Sequence, residues 1–297
     1  MTRPLNIPAV INPLQQPYAS RQLIVVAEDA IVNASRDAAL KELQSKNSVD
    51  WAKIAVLVLR ASLGPTGTLI TSVAKEAYEA WSRARNTGLD VVAISKTEAT
   101  ILIFPPGHPR DGVLYIGHPA IHNVYYTIAE FHRVTFAHKF SEAINILLHL
   151  GATEINVEHI HGWSRDFSAN ISVPIPSADA SVGAQAGAKS AQKDSILFKA
   201  SLDGTDTPTL PPKLVWYPHE PTWEMIANAR MQFGLREFAL SVTYNDDFGI
   251  NAGLKATASR AGLDLGGKFE DHVSTEWRIS GKFRESKKSP NLLPPPE

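Results

Sequence analysis

From Phe238 to Phe283 apolar and polar residues alternate almost without interruption. Phe238, Leu240, Val242 and Tyr244 point one way, with Ala239, Ser241 and Thr243 between them. Ile250, Ala252, Leu254 and Ala256 continue the pattern. After a change of phase, Leu263, Leu265 and Phe269 alternate with Asp264, Gly266 and Lys268, and Val273, Trp277, Ile279 and Phe283 complete the run. A period of two puts the apolar set on one face of a strand. The pattern predicts firm strands over 238–244 and 273–283. Between them lies an amphipathic excursion, 250–267, made largely of Ala, Gly, Ser and Thr with a few leucines.

The same plan stands earlier in the chain. A strand is expected over 167–175 and another over 196–202. The segment 177–195 between them alternates Ala180, Val182, Ala184, Ala186 and Ala188 with Ser181, Gly183, Gln185, Gly187 and Lys189. A strand that crosses a bilayer needs about 9–11 residues, apolar towards lipid and polar towards the lumen. On that reading Val182, Ala184, Ala186, Ala188, Ile250, Ala252, Leu254, Ala256, Leu263 and Leu265 form the membrane or assembly face of two hairpins. The layout is similar to the two-hairpin plan of gasdermin-like and perforin-like pore formers, a likeness of architecture only. It implies self-association and membrane insertion.

A second reading competes with it. Burying an alanine methyl gains little beside a leucine, and 177–195 has no aromatic girdle. Ala252–Ala261 also suits a helix, since alanine has the highest helix propensity. The flanking strands are then an ordinary antiparallel sheet.

Upstream, Pro4, Pro8, Pro13 and Pro17 predict an extended arm over 1–20. A buried strand follows at 22–27, then helices over 30–43 and 50–63, the second capped by Asp50. After the Gly64-Pro65-Thr66-Gly67 break, Leu69, Val73, Ala77 and Trp81 mark a helix over 69–85. Strands are expected at 89–94, 99–104, 113–116, 153–157 and 214–217, and helices at 127–150 and 221–232. The fold class predicted is α+β: a mixed α/β unit over 21–152, an antiparallel β-rich unit over 153–283, and a disordered tail over 284–297.

Composition narrows the chemistry. The formal charge is −1, from 29 basic and 30 acidic residues, so no basic excess points to nucleic acid. With no cysteine, thiol catalysis, disulfides and Cys-ligated metals are excluded. The N-terminus does not read as a secretory signal, and no run approaches the ~18 apolar residues of a spanning helix, so the expectation is a cytoplasmic protein.

Histidines crowd the middle: eight of the ten lie between His108 and His161. Metal chemistry needs neutral imidazoles and carboxylates converging on one point. As a strand, 154–161 would set His159 and His161 on one face about 7 Å apart. As a helix, 127–150 would set His138 and Glu142 on one face. These four residues are the candidate ligands for a divalent metal; structural packing is the competing role, and a pH-sensitive cluster a third. Other catalytic templates fail: Gly64-Pro65-Thr66-Gly67-Thr68 lacks the phosphate-loop lysine, and neither Gly-x-Gly-x-x-Gly nor Gly-x-Ser-x-Gly occurs. The function expected is a non-enzymatic, self-associating protein without cofactor, its partners further copies of itself and membrane lipid. The alternatives are a metal-dependent hydrolase and a scaffold built by arm exchange.

Overall fold

The computed structural model describes residues 13–46, 49–50, 53–54, 56–58, 72–105, 107, 109–163 and 196–285. The fold is α+β, with one mixed and one antiparallel sheet of four strands each. The chain divides into two compact units, and the division is discontinuous. Residues 1–135 and 247–272 make the first unit; 136–246 and 273–297 make the second. The sequence reading sets the α/β unit at 21–152 and the β-rich unit at 153–283, between an arm over 1–20 and a tail over 284–297.

In the first unit, β1 (Leu23–Ala27) is followed by α1 (Asp29–Lys46), α2 (Ser72–Asn86) and β2 (Val91–Ser95), which returns parallel to β1. β3 (Leu114–Gly117) pairs antiparallel with β1, and β4 (Tyr125–Thr127) with β3, giving the order β2-β1-β3-β4. Both faces of this sheet are dry. Val25, Ala27, Val91, Ala93 and Leu114 face a core that includes Ile31, Val32, Tyr78 and Trp81. Ile24, Val26, Val92, Ile94 and Tyr115 face a second core with Leu102 and Phe104. Burial on both faces explains why β1 and β2 read as unbroken apolar runs rather than alternating ones.

Three local expectations need correction. Residues 13–21 are not extended: they form two 3-10 turns, Pro13–Gln15 and Tyr18–Arg21, and the Tyr18 hydroxyl donates to the His118 carbonyl at 3.0 Å. In place of a strand over 99–104 there is a short helix, α3 (Lys96–Ala99), with one isolated bridge at Ile103. Ser95 and Glu98 close its N-terminus as a reciprocal capping box, a signature readable in Ser95-x-x-Glu98. Residues 214–217 carry no strand; a 3-10 turn runs over Tyr217–His219 instead.

α4 (Phe131–His149) gives its first residues to the first unit and the remainder to the second. The second unit contains β5 (Ala152–His161), β6 (Ile196–Ser201), α5 (Pro221–Phe233), β7 (Glu237–Tyr244) and β8 (Thr275–Phe283) in the order β6-β5-β8-β7. Here the alternation holds: Phe238, Leu240, Val242 and Tyr244 are buried, as are Trp277, Ile279 and Phe283, whereas Val273 is exposed. Phe136 and Phe140 of α4 pack edge-on against the Trp277 ring at 4.9 and 5.0 Å. At Gly281 a side chain would collide with the Glu154 carbonyl and lie 2.8 Å from the Phe238 ring, so only glycine lets β8 run this close to its neighbours.

The expected strand at 167–175 and the excursion at 177–195, with Val182, Ala184, Ala186 and Ala188, lie outside the described residues. The second excursion is not a β-hairpin in this structure. It is a helix, α6 (Ala252–Ala261).

Candidate functional site

The second unit's sheet consists of two hairpins side by side. β5 and β6 are antiparallel neighbours, as are β7 and β8, and β5 pairs with β8 in the centre. The chain leaves the first hairpin after His161 and the second after Tyr244. His161 pairs with Glu276, and Tyr244 with Thr275. Both connections therefore emerge from the same end of the sheet. Each is about 30 residues long, where a tight hairpin needs two to five.

The second connection, between β7 and β8, contributes residues 247–272 to the first unit. Its helix has strong local reasons to form. Asn251 is the N-cap, its side-chain oxygen accepting from the Gly253 and Leu254 amides at 3.0 and 3.3 Å. Gly262, at φ +82°, supplies the left-handed residue that ends the helix. Leu254, Ala258 and Ala261 follow the helical repeat, and the two alanines are buried in the core that contains Trp81 and Leu114. Ala252 and Ala256, on the other face, are exposed.

Beyond the helix the segment is fastened to the first unit through its backbone. The Leu114 amide donates to the Asp264 carbonyl at 2.8 Å, and the Ala129 amide to the Leu265 carbonyl at 3.0 Å. The Glu270 amide returns to the Ala129 carbonyl at 3.0 Å. Arg110 donates to the Gly266 carbonyl and Arg83 to that of Ala261, both at 2.9 Å. The Arg83 bond places a cation at the negative end of the helix. Ile250, Leu263 and Phe269 are buried and Leu265 half-buried in the same core. Asn251→Ala should weaken α6 by about 1 kcal/mol, read as faster hydrogen exchange across residues 252–261 with the β7–β8 amides unchanged.

His132, in the first turn of α4, is fully buried and meets both ends of this segment. Its Nε2–H donates to the Ile250 carbonyl at 2.6 Å, and its ring stands edge-on to His272 at 5.3 Å. Burial holds its pKa below the usual imidazole value of 6.5, and His272 pushes the same way. The Ile250 bond and the carboxylates of Asp247 and Asp271 oppose that shift without reversing it. Asp247 is itself held below the usual carboxylate range, chiefly by the Gly249 amide at 2.8 Å.

The four candidate metal ligands do not converge. Among the described residues no group of three or more His, Asp or Glu side chains is placed to hold a metal ion. His138 and Glu142 do share a face of α4, but both are committed elsewhere. The Glu142 carboxylate accepts the backbone N–H groups of Val215, Trp216 and Tyr217, each at 2.8 Å. His138 Nδ1 accepts from the Trp216 indole at 3.0 Å, and burial lowers its pKa against the pull of Glu142. The pair is a clasp that holds residues 215–217 on α4. Glu142→Gln replaces an acceptor with a donor facing buried N–H groups, so a loss of roughly 1–3 kcal/mol is expected in urea unfolding.

His159 and His161 fail as a pair for a different reason. The β5–β8 register shifts between them, and such a bulge breaks the alternation that would have aligned them. His159 contacts the Gly162 carbonyl at 3.1 Å, and His161 lies 3.9 Å from Glu276. No described helix is long and apolar enough to cross a membrane. Comparison of the chain with protein-family models, with characterised proteins and with solved structures finds no match.

Proposed function

We propose that this is a non-enzymatic, self-associating protein whose two long connections act as β-hairpins that extend the second unit's sheet, mediate assembly and insert into a bilayer, the second by conversion of α6. One observation carries the reading. The alternation inside the second connection is in phase with the strands at both of its ends.

In β7 the buried residues are even-numbered, Phe238 to Tyr244; in β8 they are odd-numbered, Thr275 to Phe283. Even-numbered Phe248, Ile250, Ala252, Leu254, Ala256 and Ala258 continue the first face outward, and odd-numbered Ala261, Leu263, Leu265 and Phe269 continue the second. The β7–β8 register pairs Tyr244 with Thr275 and Val242 with Trp277. Extended without slippage, it pairs Ile250 with Phe269, Leu254 with Leu265, Ala256 with Leu263 and Ala258 with Ala261. Ser259 and Arg260 are left as a two-residue turn, the commonest hairpin connection.

Charge sorts the same way. From Phe248 to Phe269, Lys255, Asp264 and Lys268 fall on the polar face, and Arg260 sits at the turn. Asp246 and Asp271 fall on the apolar face next to the sheet, so the sorted arm runs over 248–258 and would reach roughly 36 Å at 3.3 Å per residue, still more than the ~30 Å hydrocarbon core. A soluble loop has no need of this agreement in phase, register and charge.

Dye release from anionic and zwitterionic liposomes, with sizing of the protein afterwards, tests the proposal. Release accompanied by a ring-sized oligomer is expected. A protein that stays monomeric and leaves vesicles intact across pH, lipid and proteolytic triggers would sink it.

A further inference from the structure

The reading above needs something that holds residues 247–272 in the first unit and lets go on cue. We propose that His132 is a proton-sensitive latch: neutral, it ties the two ends of the segment to α4, and its protonation releases them. The inference rests on the proposed conversion and concerns its trigger.

The geometry singles out this imidazole. It donates to Ile250 at the start of the segment and packs on His272 at its end, while itself completely buried. A carbonyl oxygen accepts only, so the bond fixes the single proton of the neutral ring on Nε2. Acidification adds the second proton at Nδ1, creating a charge in a site closed to water.

The groups facing it decide whether that charge is tolerated. From the segment they are His272, Asp247 and Asp271. On α4 itself the neighbouring cation, Arg133, is turned to Glu130 at 2.6 Å and Glu270 at 3.4 Å. The two aspartates favour the imidazolium, but desolvation is the largest influence and His272 adds to it, so the neutral form prevails.

The sign follows from linkage. A base whose pKa is lower in the closed state than in the open one stabilises the closed state fully above the open-state value near 6.5. That stability is lost as pH falls from there towards the depressed value. Acidification therefore opens the latch.

Hydrogen exchange of residues 252–261 at pH 7.5 and 5.5, corrected for intrinsic rates and done without lipid, tests the latch. In the wild type, protection should fall roughly five- to tenfold, the most one imidazole of open-state pKa near 6.5 supplies over that interval. In His132→Gln, whose amide can still donate to Ile250 but cannot take up a proton, protection should be equal at both pH values. An unchanged wild type, or an equal fall in His132→Gln, overturns the proposal. Should that variant not fold, the wild-type titration decides. Loss of protection that begins near the open-state value of 6.5 and levels off where the His132 ring resonances titrate supports the latch; loss that is complete above that value, or that continues after the ring has taken up its proton, overturns it. The two ideas fail separately: acid opening with liposomes intact under every trigger refutes insertion, and pH-independent exchange with lytic protein refutes only the latch.

Discussion

Arg230→Ala is expected to destabilise the second unit by about 3–5 kcal/mol, a large part of the ~5–15 kcal/mol that holds a domain folded. The residue is 2 % exposed and is the only charged one among the largest fully enclosed side chains of the described residues. Its guanidinium donates to three backbone carbonyls: Leu150 after α4 and Leu235 after α5, both at 3.0 Å, and Arg284 after β8 at 2.8 Å. It also stacks 5.0 Å above the Phe283 ring. One side chain thus ties together the ends of three elements, alongside the backbone bonds from the Arg284 amide to the Gly151 carbonyl and from the Phe283 amide to the Arg236 carbonyl. Alanine would remove the donor from one buried and two half-buried carbonyls and leave a cavity against Phe283, each a separate penalty. Arg230→Lys keeps the charge but loses the planar fork that reaches three directions at once, so it should recover only part of the loss. Urea unfolding followed by tryptophan fluorescence reads both variants. A loss below about 1 kcal/mol in the alanine variant would show that water replaces these bonds freely.

The second large effect concerns the hinge of the functional argument, and the chain makes it unusually clean to measure because it contains no cysteine. A side-chain β-carbon placed at Gly262 would lie 3.8 Å from the β-carbon of Ala80 in α2. That is the mean separation found across disulfides. Ala80→Cys with Gly262→Cys should therefore bridge the end of α6 to the first unit under oxidation. Gly262 sits at φ +82°, so cysteine there adds about 1–2 kcal/mol of strain, which the bridge offsets in the oxidised form. Locked in this way, residues 252–261 have no path to an extended β-hairpin. If conversion is the mechanism, activity should vanish on oxidation and return on reduction.

How much of this was legible in the sequence depends on how local each decision is. The strands of the second sheet were plain, because Phe238 to Tyr244 and Trp277 to Phe283 have one dry face and one wet face, and period two records that directly. α6 was not plain, because its residues satisfy two periods at once. Read by twos they continue β7 and β8; read by three or four, Leu254, Ala258 and Ala261 make a helical stripe. Asn251 and Gly262 decide for the helix in this structure, and both stood in the sequence as cap and stop. The capping box Ser95-x-x-Glu98 is equally local, and it starts a short helix just ahead of 99–104, where the apolar run suggests a strand.

Other features had no local signal. The bulge between His159 and His161 depends on the partner strand β8. The loop that occupies Glu142 lies more than seventy residues away. The helical face shared by His138 and Glu142 was correctly read, but only the fold reveals that the carboxylate already holds three amides. The discontinuous division of the chain is tertiary in the same sense: periodicity describes 247–272 without saying which unit it joins.

The most direct test is dye release by the Ala80→Cys/Gly262→Cys protein, oxidised and then reduced on the same vesicles, with the wild type and each single variant carried through both conditions. The account predicts intact vesicles with the oxidised double variant, release at the wild-type extent once the bridge is reduced, and no redox response in the other three. Release by the fully oxidised, verified disulfide form at the wild-type rate would contradict it, since residues 252–261 would then never have left the first unit.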